Sequence, residues 1–209
     1  MTRQSSAQSP AVRQEQRRQT IVAAARKAFL KHGYGQTTMS AIAAAIGGSK
    51  TTLWSYYRNK HDLFAAVVDD LVERYGEALR LPLPPAGDPA ATLRELGLTV
   101  MATILRPQIV ALHRMVMGEA GRFPELGRLL FERGISRGQA RTAEWLAGQM
   151  DLGKLRRADP LLAAQQFIGL FQNGAYQRLL LGACAMPGPE EIRLEVEGAV
   201  DVFMRAYRA

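Results

Sequence analysis

Between residues 38 and 60 the chain concentrates side chains with usable chemistry: hydroxyls at Thr38, Ser40, Ser49, Thr51, Thr52 and Ser55, an indole at Trp54, and cations at Lys50, Arg58 and Lys60. Hydroxyls can bond to phosphates or base edges, an aromatic edge can pack on a thymine methyl, and cations attract phosphate. Rotation at 100° per residue on a helix puts Leu53 and Tyr57 on one side. Thr51, Ser55 and Arg58 then point the opposite way, with Thr52 and Trp54 on the flanks. Leu53 and Tyr57 can anchor the helix on its neighbours, while the hydroxyl-and-indole side suits the major groove of DNA. An ordinary solvated helix would leave Trp54, exposed beside Tyr56, unexplained.

Charge agrees with this reading. Residues 1 to 60 hold ten Lys or Arg against one acid, Glu15, whereas the whole chain of 209 residues has a net charge of +8. The remainder is therefore slightly acidic, and the excess positive charge belongs to a short module suited to a polyanion.

Other chemistry is not expected. His32, His61 and His113 are scattered rather than set at metal-ligand spacing, and there is no Gly-rich phosphate loop or paired-carboxylate arrangement on one face. Glu119 and Arg122 read as a helix ion pair. No catalytic group, metal or cofactor is assigned. The single cysteine, Cys184, cannot staple the fold and fits a reducing compartment. The first dozen residues do not resemble a secretory signal and no apolar run approaches a bilayer's thickness, so a soluble, cytoplasmic, nucleoid-associated protein is expected, with no membrane partner.

The elements that must position these groups are helical throughout: apolar spacing follows a helical period and no strand-like alternation persists. The fold class is all-α with about nine helices. Residues 1–13 lack apolar periodicity and are expected to form a disordered arm. Residues 14–62 form a helix-turn-helix head, and residues 63–209 a ligand-binding and dimerisation domain. In the head, Ile21, Ala25, Ala28 and Phe29 form the buried stripe of a first helix that ends before Gly33. Thr38 caps a second helix, Met39 to Ile46, and Ser49 a third, Lys50 to about Arg58; Asn59 caps a fourth, with Asp62 at its third position. Leu81 to Pro89 reads as a linker or loop between two parts of the molecule. Helices then resume near Ala91–Leu105, Pro107–Gly121, Pro124–Met150, Pro160–Cys184 and Pro189–Tyr207.

Two short helices joined by a Gly-containing turn in a basic segment are the form of a DNA-binding helix-turn-helix. The residues Gly33, Tyr34, Thr37, Thr38, Ile42, Ala43, Gly47, Ser49, Lys50, Thr52, Leu53, Tyr56, Lys60 and Leu63 resemble the N-terminal pattern of the TetR family of repressors. The run Leu112 to Leu126 and the segment Arg178 to Gly182 resemble the AefR-like branch. The resemblance implies that Thr38, Tyr56 and Lys60 hold phosphates, that Thr51, Trp54 and Ser55 face bases, and that Ser40 is a further DNA-facing position. Gly48, Thr51 and Trp54 depart from the family's usual residues, so the operator is not inferred. A repressor of palindromic operators released by a small apolar effector is implied; an activator or a sequence-nonspecific DNA binder of the same fold is the alternative.

One such head offers few base contacts, so a symmetric homodimer is expected. Its interface is assigned to the last two helices, through Leu161, Ala164, Ile168, Phe171 and Ala175 and through Ile192, Val196, Val200, Phe203 and Tyr207. Met101, Met115, Met117, Phe123, Phe131, Trp145, Phe167, Phe171 and Tyr176 are candidates for an adaptable effector pocket. Asn173, Gln166 and Arg114 are its candidate polar contacts. The helix over Leu63 to Leu79 is the expected lever between head and body.

Overall fold

Why the chain breaks into these helices is visible at their ends. The computed structural model describes residues 9–209. Ser9 caps α1 (Pro10–His32) by accepting from the Val12 N–H, and Pro10 stands where its missing N–H costs no helical bond. Pro10 to Arg13 are thus helical rather than part of a disordered arm; the rest of that expected arm, residues 1–8, lies outside the described residues. Gly33, at φ 81°, closes α1 with its N–H on Phe29 O.

α2 (Met39–Ala45), α3 (Lys50–Tyr56) and α4 (Lys60–Tyr75) follow. The first compact unit ends at Asp70 and the second runs Leu71–Ala209. The sequence division at 62/63 moves because the start of α4 packs within the head. Phe29, Tyr34 and Phe64 form an aromatic triangle with centroids 5.5–5.6 Å apart. Leu63, Val67 and Val68 are fully buried, and Arg26 of α1 pairs with Asp70 of α4.

In the second unit α4 gives way at Gly76 to a 3-10 turn, Glu77–Leu79, so the expected lever is not one continuous helix. A Cβ at Gly76 would stand 2.3 Å from Val72 O, which suits a glycine to that tight exit. Then come α5 (Pro89–Ile104), α6 (Pro107–Glu119), α7 (Pro124–Leu130), a π turn (Phe131–Ile135), α8 (Ser136–Asp151), α9 (Pro160–Gln172), α10 (Ala175–Leu180) and α11 (Pro189–Tyr207). Five of these begin with proline, and Asp88 and Asp159 cap α5 and α9 through backbone N–H groups at 2.8–3.1 Å. Two expected long helices are interrupted: Pro124–Met150 by the π turn, and Pro160–Cys184 at Asn173 and Gly174. Among the described residues the only extended pairing is a single bridge, Leu155 with Arg208.

The core of this unit joins α5, α8, α9 and α11. Phe167, Phe171, Phe203 and Tyr207 stack edge-to-face or face-to-face at 4.5–5.3 Å. α5 and α11 approach closely because Gly97 has no side chain: a Cβ there would lie 2.7 Å from Val196 Cγ1.

The proline-rich segment expected as a linker is instead strapped to α8. Trp145 Nε1 donates to Pro84 O at 2.8 Å, Gln149 Nε2 to Pro85 O at 3.2 Å, and Arg141 to Ala78 O and Leu81 O. Proline cannot donate, but its carbonyl is a strong acceptor, and long side chains of a neighbouring helix satisfy it. Among the described residues no single helix is long and apolar enough to cross a membrane.

Candidate nucleic-acid interface

A helix of seven residues is marginal alone, so α2 and α3 depend on caps and tertiary anchors. Thr38 Oγ1 accepts from Ala41 N–H at 3.1 Å, and Ser49 Oγ accepts from Thr52 N–H at 3.1 Å. Ile42 and Ala43 of α2, Leu53 of α3 and Tyr57 just beyond it are buried. That anchoring fixes the rotation of α3.

The opposite side is open. Thr51, Ser55 and Arg58 are exposed, Trp54 is 50% exposed, and Thr52 and Tyr56 are half-buried. An indole presented to solvent offers an apolar edge and an N–H donor to a partner surface. Hydrogen bonding sorts the hydroxyls. Ser55 Oγ donates to Thr52 O at 2.8 Å, leaving it lone pairs with which to accept. The hydroxyls of Ser49 and Thr52 are 2.9 Å apart and bond to each other. Thr51 makes no such bond among the described residues and can both donate and accept. Thr38, whose oxygen accepts at the cap, retains its O–H to donate outward. Ser40 and Lys50 are exposed beside them.

Lys60 stands differently from the sequence expectation. Its ammonium donates to Tyr34 O at 2.8 Å and Thr37 O at 3.0 Å, and lies 4.2 Å from the Tyr34 ring centroid. In this structure it ties α4 to the turn before α2. Lys50, the first residue of α3, is an exposed cation.

Sequence reasoning missed Arg17. A Cβ at Gly48 would lie 2.6 Å from Arg17 Nη2, so the guanidinium of α1 occupies the space over the turn between α2 and α3. The signal was available as the unusual glycine at 48, but its partner is 31 positions away and no local pattern links them.

The candidate effector residues fall in different surroundings. Met101, Trp145, Phe167, Phe171 and Tyr176 belong to a single packed core. Phe131, on the π turn, is 48% exposed; Met117 is 66% exposed, and Met115 and Phe123 are half-buried. Asn173 and Gln166 line an open groove of about 350 Å³ between α9 and α11, with Leu170, Val202, Phe203 and Tyr207. Arg114 caps α10 instead, donating to Leu179 O and, at 3.0 Å, to Leu180 O. Beside it His113 Nδ1 is hydrogen-bonded to the Tyr176 hydroxyl. Burial lowers His113 from its ordinary pKa to about 4 and raises that of Tyr176.

The apolar stripes assigned to dimerisation largely face their own core: Ala164, Phe171, Ala175, Val196, Val200, Phe203 and Tyr207 are all buried, and Ile168 and Ile192 are half-buried. The outward apolar residues on the same helices are Leu161, Leu162, Leu170, Leu194 and Val202, each 40–55% exposed. Helical period alone cannot tell which of two stripes turns inward.

Comparison with known proteins extends this geometry. Residues 21–67 match the profile described as bacterial regulatory proteins, tetR family, and residues 91–209 the profile of the AefR-like transcriptional repressor, C-terminal domain. The flavonoid-responsive regulator FrrA is 31% identical with a TM-score of 0.81, over 93% of this chain and 98% of FrrA. A TetR-family regulator from Mesorhizobium loti is 25% identical at the same TM-score of 0.81, over 97% of this chain and all of that one. TtgR of Pseudomonas putida is 34% identical over 87 residues; the match spans 41% of TtgR and 41% of this chain, less than half the length of that curated relative. With the tetR-family profile on its N-terminal unit and an AefR-like profile covering more than half its length, the chain belongs to the TetR family of transcriptional regulators.

Proposed function

We propose that this regulator is a repressor that binds a palindromic operator as a homodimer and is released by a small, largely apolar effector. The observation that carries the reading is the orientation of α3: Leu53 buried, with Thr51, Trp54 and Ser55 outward on a helix whose start is capped by Ser49. Thr51, Trp54 and Ser55 read bases; Thr38, Ser40, Lys50 and Tyr56 hold the backbone. The place of action is the nucleoid in the cytoplasm.

Pairing runs through the outward apolar residues of α9 and α11, Leu162, Leu170, Leu194 and Val202. The effector site lies in the second unit, and FrrA, whose name makes it responsive to flavonoids, supports an aromatic, sparingly polar ligand. Such a ligand acts only by preferring a conformation whose heads are wrongly spaced, because equal affinity for both states shifts nothing.

The test is selection of genomic fragments by the purified chain, followed by transcription from a recovered promoter. Repression relieved by a flavonoid or similar compound is expected. Recovery of no enriched sequence would reject specific binding, and increased transcription would make the protein an activator.

A further inference from the structure

Arg17 reaches from α1 to the turn between α2 and α3 and fills the space that a side chain at residue 48 would need. The backbone of Gly48 is not in the left-handed region that favours glycine, unlike that of Gly47 at φ 60°. Its backbone would accept a side chain, and the space that side chain would enter holds the end of the Arg17 guanidinium.

Arg17 is half-buried as a residue, and among the described residues nothing accepts the protons of its guanidinium. The nearest acid in the sequence, Glu15, is already engaged by Arg18 at 3.0 Å and Gln19 at 3.1 Å. Five donors in a rigid fork, permanently charged, stand without an anion beside the turn that leads directly into Ser49 and Lys50. The fork matches two oxygens of a phosphodiester.

We infer that Arg17 is a DNA-backbone contact, holding a phosphate next to the start of the reading helix, and that Gly48 is the residue that makes room for it. The inference rests on the DNA-binding reading of α2 and α3 and adds a contact from outside those two helices.

The experiment uses the full chain and a mixed-sequence 30-base-pair duplex, with binding followed by fluorescence anisotropy across a salt series. Arg17→Ala is expected to flatten the plot of log affinity against log salt by about 0.9 per reading head. Lys27→Ala, removing the same charge about 15 Å further along α1, is the comparison and should flatten it less. Gly48→Val displaces only the flexible end of Arg17, so it should reproduce the flattening with Arg17 present and add nothing in the Arg17→Ala background. A slope in Arg17→Ala equal to that of Lys27→Ala overturns the inference while leaving DNA binding intact. A full effect of Gly48→Val without Arg17 overturns the coupling. Failure of the unaltered chain to bind any duplex would sink both this contact and the reading beneath it. Helical circular dichroism checks folding; should Gly48→Val not fold, the Arg17 and Lys27 slopes still decide.

Discussion

The carboxylate of Glu195 on α11 lies against the Cα of Gly174, where a Cβ would stand 2.1 Å from Oε1 and 2.5 Å from Cδ. Oε1 accepts from the N–H of Ala175 at 2.7 Å, supplying the partner that the first residue of α10 lacks within its own helix. The break between α9 and α10 is therefore built from a missing side chain and a carboxylate from a distant helix. Gly174→Ala should expel that carboxylate and lower stability by about 1–3 kcal/mol. Urea unfolding at fixed protein concentration measures it, and a Glu195→Ala background should absorb most of the loss. Equal losses in both backgrounds would show that the two residues are not coupled.

Lys60 provides a second test, because the same residue type can serve DNA or fold. Its ammonium bonds to the carbonyls of Tyr34 and Thr37 and stacks over the Tyr34 ring. Hydrogen bonds from a charged donor contribute about 1.5–3 kcal/mol each when buried, and this site is only partly so. Lys60→Met should lower the stability of the head by about 1–2 kcal/mol and broaden the amide resonances of Tyr34 to Thr38. If the variant instead melts with the unaltered chain and loses only DNA affinity, the carbonyl contacts do not matter.

These two cases mark where a sequence stops being legible. The caps at Thr38, Ser49 and Asn59 were readable because a short oxygen-bearing side chain and the helix that follows it are both local. Leu53 and Tyr57 were readable because i and i+4 share a face. The proline segment was misread because proline reports only its own conformation, not that Trp145, Gln149 and Arg141 would take its carbonyls. The choice between two apolar stripes on α9 and α11, the seat of Arg17 over Gly48 and the carboxylate at Gly174 depend on partners tens of residues away.

The hydrogen-bonded pair His113 and Tyr176 makes stability depend on pH. Burial lowers His113 from 6.5 to about 4, so the unfolded chain binds a proton in that window while the folded chain does not. Stability is therefore unaffected by this group above pH 6.5 and falls as pH drops toward 4, by on the order of 3 kcal/mol. His113→Gln, which keeps a hydrogen-bonding side chain opposite the Tyr176 hydroxyl, should remove most of that slope between pH 7 and 4.5. The same slope in both proteins would assign the acid sensitivity elsewhere.

Base reading and backbone holding separate by their sequence dependence. Thr51→Ala and Trp54→Ala should change which bases are preferred in a selected operator, with losses of about 1–3 kcal/mol confined to particular positions. Lys50→Ala should weaken every duplex alike and reduce the salt slope by about 0.9 per head. Uniform losses from all three substitutions would deny α3 a role in discrimination.

The outward stripe of α9 and α11 yields the last prediction. Leu170 is 40% and Val202 51% exposed, and both border the groove that also holds Gln166 and Asn173. A charge placed there meets solvent in a monomer and a desolvated apolar surface in a pair. Leu170→Glu and Val202→Glu should therefore leave the helical signal and the monomer's melting nearly unchanged while shifting sedimentation from dimer to monomer. Operator affinity should fall with them, since two heads on one palindrome bind far more tightly than either alone. Phe203→Ala, one position from Val202 but pointing into the core at 1% exposure, should instead cost about 3–5 kcal/mol of folding stability. Neighbouring residues of one helix would then fail in two different ways. Glutamate variants that sediment with the unaltered chain would place the pairing surface on another face.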